Sequence, residues 1–313
     1  MSNLVSNTNA PQPKRRTVVS VLGMHRSGTS ALTKGLEALG IGLGDTIIPA
    51  AADNPKGYWE DRLVLAINKA LLERCDIAWN DLRIVEEGQF LDPTLEDLAD
   101  RAEKLFSDRI AAYGNWGFKD PRTVRVLPFW LHAAQRAGID LQFVVALRHP
   151  LSVAQSLQVR NGIPQVRGML MWAAYLLPSL DRICSFPHVF VTYDQLLDAP
   201  EDSIRKIADS LDWPVRRDRL VDYTHAFINN DLRHHPTDSE QDLLQQQPVP
   251  DVVTSAYTLL SQAASSISPD FWDRLAQVQA AHRALNPILQ QMDAESEHRR
   301  KRNQSIFQRL LHA

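Results

Sequence analysis

The sequence predicts an α/β fold, a three-layer parallel sheet flanked by helices with a C-terminal helical extension, on three observations. Short β-branched apolar runs recur along the chain, each run is followed by a segment with helical spacing, and 251–313 reads as helix alone. Strands alternating with helices favour a parallel sheet covered on both faces, with its ligand site at the carboxyl ends of the strands.

The run Thr17-Val-Val-Ser-Val-Leu22 is the first strand, a short β-branched, mainly apolar run of the kind that is buried on both faces of a parallel sheet. Gly23 and Gly28 follow, and 30–39 reads as a helix stopped by Gly40. The stretch 40–57 is loop, with Gly42, Gly44, Pro49 and Pro55, and 61–74 is a helix with Leu63, Val64, Ile67 and Leu71 at helical spacing. Thr94 and Asp97 have the spacing of a capping box, and Leu95, Leu98, Ala102, Leu105 and Phe106 carry the helical period onward. Further strands are expected at 116–119, 141–147 and 188–192, and Pro150 suits the first position of a helix. The domain reading is an Asn/Ser/Pro-rich disordered arm over 1–16, a main domain over 17–237, a linker over 238–250 and the helical extension over 251–313. That extension ends with Ile306, Phe307, Leu310 and Leu311 on one face, after Arg299-Arg-Lys-Arg302, and offers a surface for a homodimer.

Composition narrows the function. In 313 residues, 34 Lys+Arg stand against 37 Asp+Glu, a net charge of −3, which argues against a nucleic-acid partner. The two cysteines, Cys75 and Cys184, cannot make a disulfide framework and are expected to be buried free thiols. No apolar run approaches the ~20 residues of a membrane span, and the start of the chain lacks the apolar core of a secretory signal. A cytoplasmic location is therefore expected.

The most informative segment is Gly23-Met-His-Arg-Ser-Gly28-Thr29-Ser30. Its frame is that of a P-loop with Thr29 at the lysine position, so the sheet is expected to be P-loop-like. Such a loop turns backbone N–H groups inward toward an anion at a helix start. Arg26 supplies charge from within the loop, and His25, Ser27, Thr29 and Ser30 add polar side chains. Without the lysine on which P-loop nucleotide hydrolysis relies, a sulfuryl group suits the loop better than a terminal phosphoryl.

A second strand delivers polar groups to a helix start at Arg148-His149-Pro150, with Ser156 eight residues beyond Arg148. Arg148 and Ser156 would clamp a phosphate from two sides; the alternative is that Arg148 pairs with a structural carboxylate.

Together these segments resemble the sulfotransferase family, bacterial carbohydrate-type members in particular. Gly23 to Ser30 resembles its 5′-phosphosulfate loop, and Arg148 with Ser156 its 3′-phosphate motif. Segments around Asp53 to Asp61, Phe118 to Arg122 and Asp231 to His235 are also similar to bacterial members. The resemblance implies a sulfuryl donor, 3′-phosphoadenosine 5′-phosphosulfate (PAPS), with adenosine 3′,5′-bisphosphate (PAP) as product and no metal required. It implies an acceptor hydroxyl, that of a glycan or glycolipid. In-line transfer needs a base and cations near the leaving oxygen. Glu60 resembles the family's glutamate base, with Asp61 and His25 as alternatives and helix-dipole complementation as the plainer account of Glu60. Lys119 and Arg26 are the candidates for stabilising the transferring and leaving groups, while Asp120 and Arg122 are expected to pair or hold a turn.

The chain departs from mammalian cytosolic members. It has Ala31 and Leu32 where they carry an adenine-stacking tryptophan, and it lacks their glycine-containing phosphate motif and their catalytic histidine. Arg233 is the candidate for the remaining end of the donor. Tyr58, Trp59 and Trp172 are candidate sugar platforms. Two other readings stand beside the transferase: a P-loop nucleotide or sugar kinase, and a catalytically silent nucleotide-binding assembly protein.

Overall fold

The computed structural model describes residues 16–51, 54, 56–228 and 249–311, with side chains in the last helix through 299 and at 301. The arm over 1–15, most of the linker, Arg233 with its neighbouring histidines, and the apolar side chains at 306–311 lie outside the described residues.

The chain runs β1 (Thr17–Leu22), α1 (Thr29–Gly35), α2 (Arg62–Arg74), α3 (Glu87–Phe90), α4 (Glu96–Tyr113), β2 (Trp116–Lys119), α5 (Leu127–Ala137), β3 (Asp140–Leu147), α6 (Pro150–Asn161), α7 (Gln165–Leu176), β4 (His188–Thr192), α8 (Tyr193–Asp198), α9 (Pro200–Leu211), α10 (Arg217–Asp222), α11 (Asp251–Ala263), α12 (Phe271–Ala284) and α13 (Asn286–Leu311). The four strands form one parallel sheet in the order β2-β1-β3-β4.

Alternation along β1 separates the layers. Val18 and Leu22 join one core with α2, α4, α5, α7 and α11, while Val19 and Val21 join the other with α1, α9 and Tyr223. All six β1 side chains are buried, Thr17 and Ser20 with the apolar four, which is why the run shows no alternation with a solvent face.

Beyond β1 the chain goes first to β2 on one side, and beyond β3 to β4 on the other. The carboxyl ends of β1 and β3 therefore border the crevice where connections diverge, the place such sheets bind ligands. Gly23 to Gly28 leave β1 there, and Arg148 and His149 leave β3 there.

Local signals mostly formed as expected, with instructive exceptions. Thr94 is not a helix cap: Asp92 takes that part, accepting from Thr94 N at 2.8 Å, while Asp97 pairs with Arg74. Leu63 is exposed although it keeps the apolar spacing of α2, because it sits at the edge of the buried stripe of Val64, Ile67 and Leu71. Cys75 is buried but Cys184 is exposed. Helices α11 and α12 place Val253, Leu260, Phe271 and Leu275 in the same core as the sheet. No helix among the described residues is long and apolar enough to cross a membrane.

Candidate active site

The loop after β1 is shaped by positions with left-handed backbone. Gly28, at φ 82°, lies so close to Tyr193 that a Cβ there would fall 2.2 Å from the ring. Arg26 adopts φ 69°, a conformation uncommon for a residue with a Cβ. Such strain persists only where surrounding contacts enforce it, and it clusters at ligand sites.

Those contacts join the two expected anion motifs. Arg26 Nε donates to Ser156 Oγ at 2.8 Å, and Arg148 donates to the Arg26 carbonyl at 3.0 Å. Arg148 is buried at the end of β3, with its guanidinium 4.6 Å over the Tyr193 ring. Burial lowers the Arg148 pKa; the Tyr193 ring opposes that and the nearby Arg26 charge adds to it. An anion between the two guanidinium groups would relieve their repulsion. Tyr193 was not singled out from the sequence, yet it opens α8 directly after β4, the same strand-end position as the other site residues.

On the β2 side, Lys119 ends its strand fully buried. Its Nζ donates to Glu60 Oε1 at 2.9 Å and reaches Ser30 Oγ at 3.3 Å, while Ser30 donates to the Tyr58 carbonyl at 2.9 Å. A line of contacts thus runs from Glu60 through Lys119 to the start of α1. Glu60 does not open a helix as its sequence setting suggested. It precedes the N-cap of α2, its carbonyl accepts from Ile48 N at 2.9 Å, and its carboxylate is paired with Lys119.

The alternative bases fare differently. Asp61 is the N-cap itself, accepting from Leu63 N at 2.8 Å, and is paired with buried Arg109 at 2.7 Å. Those contacts make it a scaffold residue. His25 is only half-buried as a residue, but its Nε2 is sealed from solvent without a hydrogen-bond partner. Burial, then the charges of Arg122, Lys119, Arg160 and Arg26, hold its pKa well below the ordinary value, so the imidazole is neutral at physiological pH. Its ring meets those of Trp79 and Tyr175 edge-on, at 5.3 and 5.5 Å.

Asp120 caps the turn after β2, accepting from Arg122 N at 2.8 Å, and pairs with the Arg122 guanidinium at 3.0 Å. Ser27 is buried with its hydroxyl unpartnered, and Thr29 is buried at the first position of α1. Trp172 cannot be a sugar platform, because it is wholly buried in the core against Tyr257. Tyr58 and Trp59 remain half-exposed, and the Lys34 ammonium lies 4.6 Å over the Trp59 ring.

The fold and site define an α/β protein whose polar and charged side chains gather at the carboxyl ends of β1, β2 and β3. The chain matches no family model and no curated protein. Among solved structures it is similar to the sulfotransferase domain of the Synechococcus PCC 7002 olefin synthase, at 14% identity and a TM-score of 0.43, over 87% of this chain and 96% of that one. It is also similar to the sulfotransferase domain of the curacin biosynthetic pathway, at 16% identity and a TM-score of 0.39, over 84% and 97% of the two chains. Sulfotransferase STF9 from Mycobacterium avium is similar at 16% identity and a TM-score of 0.39, over 72% and 70%.

Proposed function

We propose that the protein is a sulfotransferase that moves a sulfuryl group from PAPS to an acceptor hydroxyl. The observation that carries this reading is the joining of the two anion motifs through Arg26, Ser156 and Arg148, with Lys119 and Glu60 at the neighbouring strand end. Two anionic groups on one nucleotide suit such a pair of adjoining sites better than a single triphosphate chain does. The donor set fits: buried Ser27 has an unpartnered hydroxyl, and Arg26 and Arg148 bring two positive charges close together.

Each side chain then has a distinct part. Arg148 and Ser156 hold the 3′-phosphate, and Ser27, Gly28, Thr29 and Ser30 hold the 5′-phosphosulfate. Arg26 spans the two and neutralises charge near the leaving oxygen. Lys119 steadies the transferring group, where loss of one such donor typically costs about 10²–10³ in rate. Glu60, held by Lys119, accepts the proton of the acceptor hydroxyl. The donor supplies an activated sulfuryl group, so the chain needs to orient it, stabilise charge and remove one proton. Tyr58 and Trp59, half-exposed beside Glu60, suit a carbohydrate or glycolipid acceptor.

Calorimetric titration with PAP and with ATP–Mg²⁺ tests the reading. PAP should bind and release heat that saturates at one site per chain. Tight binding of ATP–Mg²⁺ with no response to PAP would overturn it in favour of the kinase.

A further inference from the structure

The segment 77–84 between α2 and α3 has no helix or strand, yet its backbone is gripped by side chains from three separate parts of the chain. Arg125 donates to the Asp81 carbonyl at 2.9 Å and the Arg83 carbonyl at 3.0 Å. Arg167, on α7, donates to the Asn80 carbonyl at 2.8 Å. The third grip comes from α13, some two hundred residues away. Asp293 accepts from Leu82 N at 2.9 Å and Arg83 N at 2.9 Å, and from Arg167 at 2.6 Å. Asn286 Oδ1 accepts from Ile84 N at 2.9 Å.

All this restraint bears on one aromatic side chain. The Trp79 carbonyl accepts from the Tyr175 hydroxyl at 2.6 Å, and the Trp79 ring stands 5.3 Å from the His25 imidazole. His25 lies inside the anion loop, and the charged groups that act on it are the cations Arg122, Lys119, Arg160 and Arg26. Trp79 and Tyr175 are the rings that cover it.

We propose that Asp293 is a positioning residue for the anion site: by pinning 77–84 it holds Trp79 against His25, so that the C-terminal helix builds one wall of the site. The wall itself rests on contacts within the chain; that it closes a sulfuryl-transfer site rests on the transferase reading above. The carboxylate is suited to the task because its oxygens take two consecutive backbone N–H groups and a guanidinium together. An asparagine there would turn an NH₂ toward one of those donors, loosening the segment while leaving the helix shape unchanged.

The test follows His25 by NMR titration and by its reaction with diethylpyrocarbonate in wild type, Trp79→Ala and Asp293→Asn, with thermal melts confirming each fold. Removing the ring should raise the His25 midpoint toward its ordinary value and speed modification about tenfold. Asp293→Asn should move both readouts in the same direction. If it does not fold, Asn286→Ala, which frees the far end of the segment, is read in its place. A folded Asp293→Asn protein whose His25 behaves as in wild type overturns the positioning role, and an unchanged His25 in Trp79→Ala overturns the wall. PAP calorimetry on the wild type separates the two levels. Failure to bind PAP sinks the transferase reading while leaving the wall intact, and PAP binding with an insensitive His25 does the reverse.

Discussion

Lys119 Nζ and Glu60 Oε1 form an ion pair 2.9 Å apart, in which the lysine is almost wholly buried and the carboxylate nearly so. Removing one member of a buried pair strands the other charge, at a typical cost of about 3–5 kcal/mol. Glu60→Ala should destabilise by that order in urea denaturation, and Glu60→Gln by less, since an oxygen still faces Lys119. In the proposed reaction Glu60→Gln abolishes transfer from PAPS while PAP binds as before. A folded Glu60→Gln protein with wild-type turnover would move the base to another residue.

Arg148 follows β3 with its guanidinium 4.6 Å over the Tyr193 ring. A charge-assisted hydrogen bond contributes roughly 1.5–3 kcal/mol, or about 10–100-fold in affinity. Arg148→Ala should weaken PAP by that factor and leave adenosine 5′-monophosphate, which lacks the 3′-phosphate, little changed in calorimetry. Lysine should not restore it, because an ammonium lacks the forked donors of the guanidinium. Equal losses for the two nucleotides would place Arg148 elsewhere than at the 3′-phosphate.

Gly28 has no room for a side chain. A Cβ would overlap Tyr193 at 2.2 Å, and φ 82° is itself strained for other residues by about 1–3 kcal/mol. Gly28→Ala should therefore lower the melting temperature and abolish PAP binding. Tyr193→Ala on that background relieves the overlap but not the strain, so stability should recover only in part. Complete recovery would show that sterics against the ring, and not the backbone, had demanded glycine.

The layers of the fold were legible because periodicity is local. The boundaries of β1 and β2 and the start of α6 at Pro150 follow from apolar runs and from a proline that lacks an N–H to lose. The spacing of Thr94 and Asp97 does not make a cap, because Asp92 caps the short turn at Pro93–Leu95, Asp97 is taken by Arg74, and α4 begins after Leu95 without a side-chain cap. Within the candidate site, each polar segment could be read alone, yet their joining through Arg26 and Ser156 spans 130 positions and is a property of the sheet order. Trp172 illustrates the limit: a tryptophan on an apolar helix looks the same whether it faces a sugar or the core. Trp79 and Asp293 left no sequence signal, because an irregular segment held by distant side chains has no period.

Asp61 provides a control for the site, since its contacts are structural. It caps α2 and pairs with buried Arg109, which also donates to Thr46. Asp61→Ala should cost about 1–3 kcal/mol by denaturation, through the lost cap and the lost buried contact, since Arg109 keeps its pairing with Asp45 at 2.7 Å. Whatever fraction remains folded should bind PAP with wild-type affinity. A selective loss of turnover in a stable Asp61 variant would instead give it a place in the chemistry.

His282 gives the pH dependence of stability a defined sign. It is buried in α12 with Nε2 unpartnered, and burial, assisted by Arg283 and Arg125, lowers its pKa to about 4. In the unfolded chain it returns to about 6.5, so between those values the unfolded state binds the extra proton. Stability is therefore full above pH 6.5 and falls as the pH drops toward 4, by about 3 kcal/mol at most for a shift of this size. His25 is shifted in the same direction and adds to the slope. Urea denaturation of wild type and His282→Gln at intervals from pH 7 to pH 4 isolates the term: the variant should start less stable but lose less on acidification. Parallel curves for the two proteins would mean that His282 keeps its ordinary titration, and that other groups, His25 among them, set the acid sensitivity.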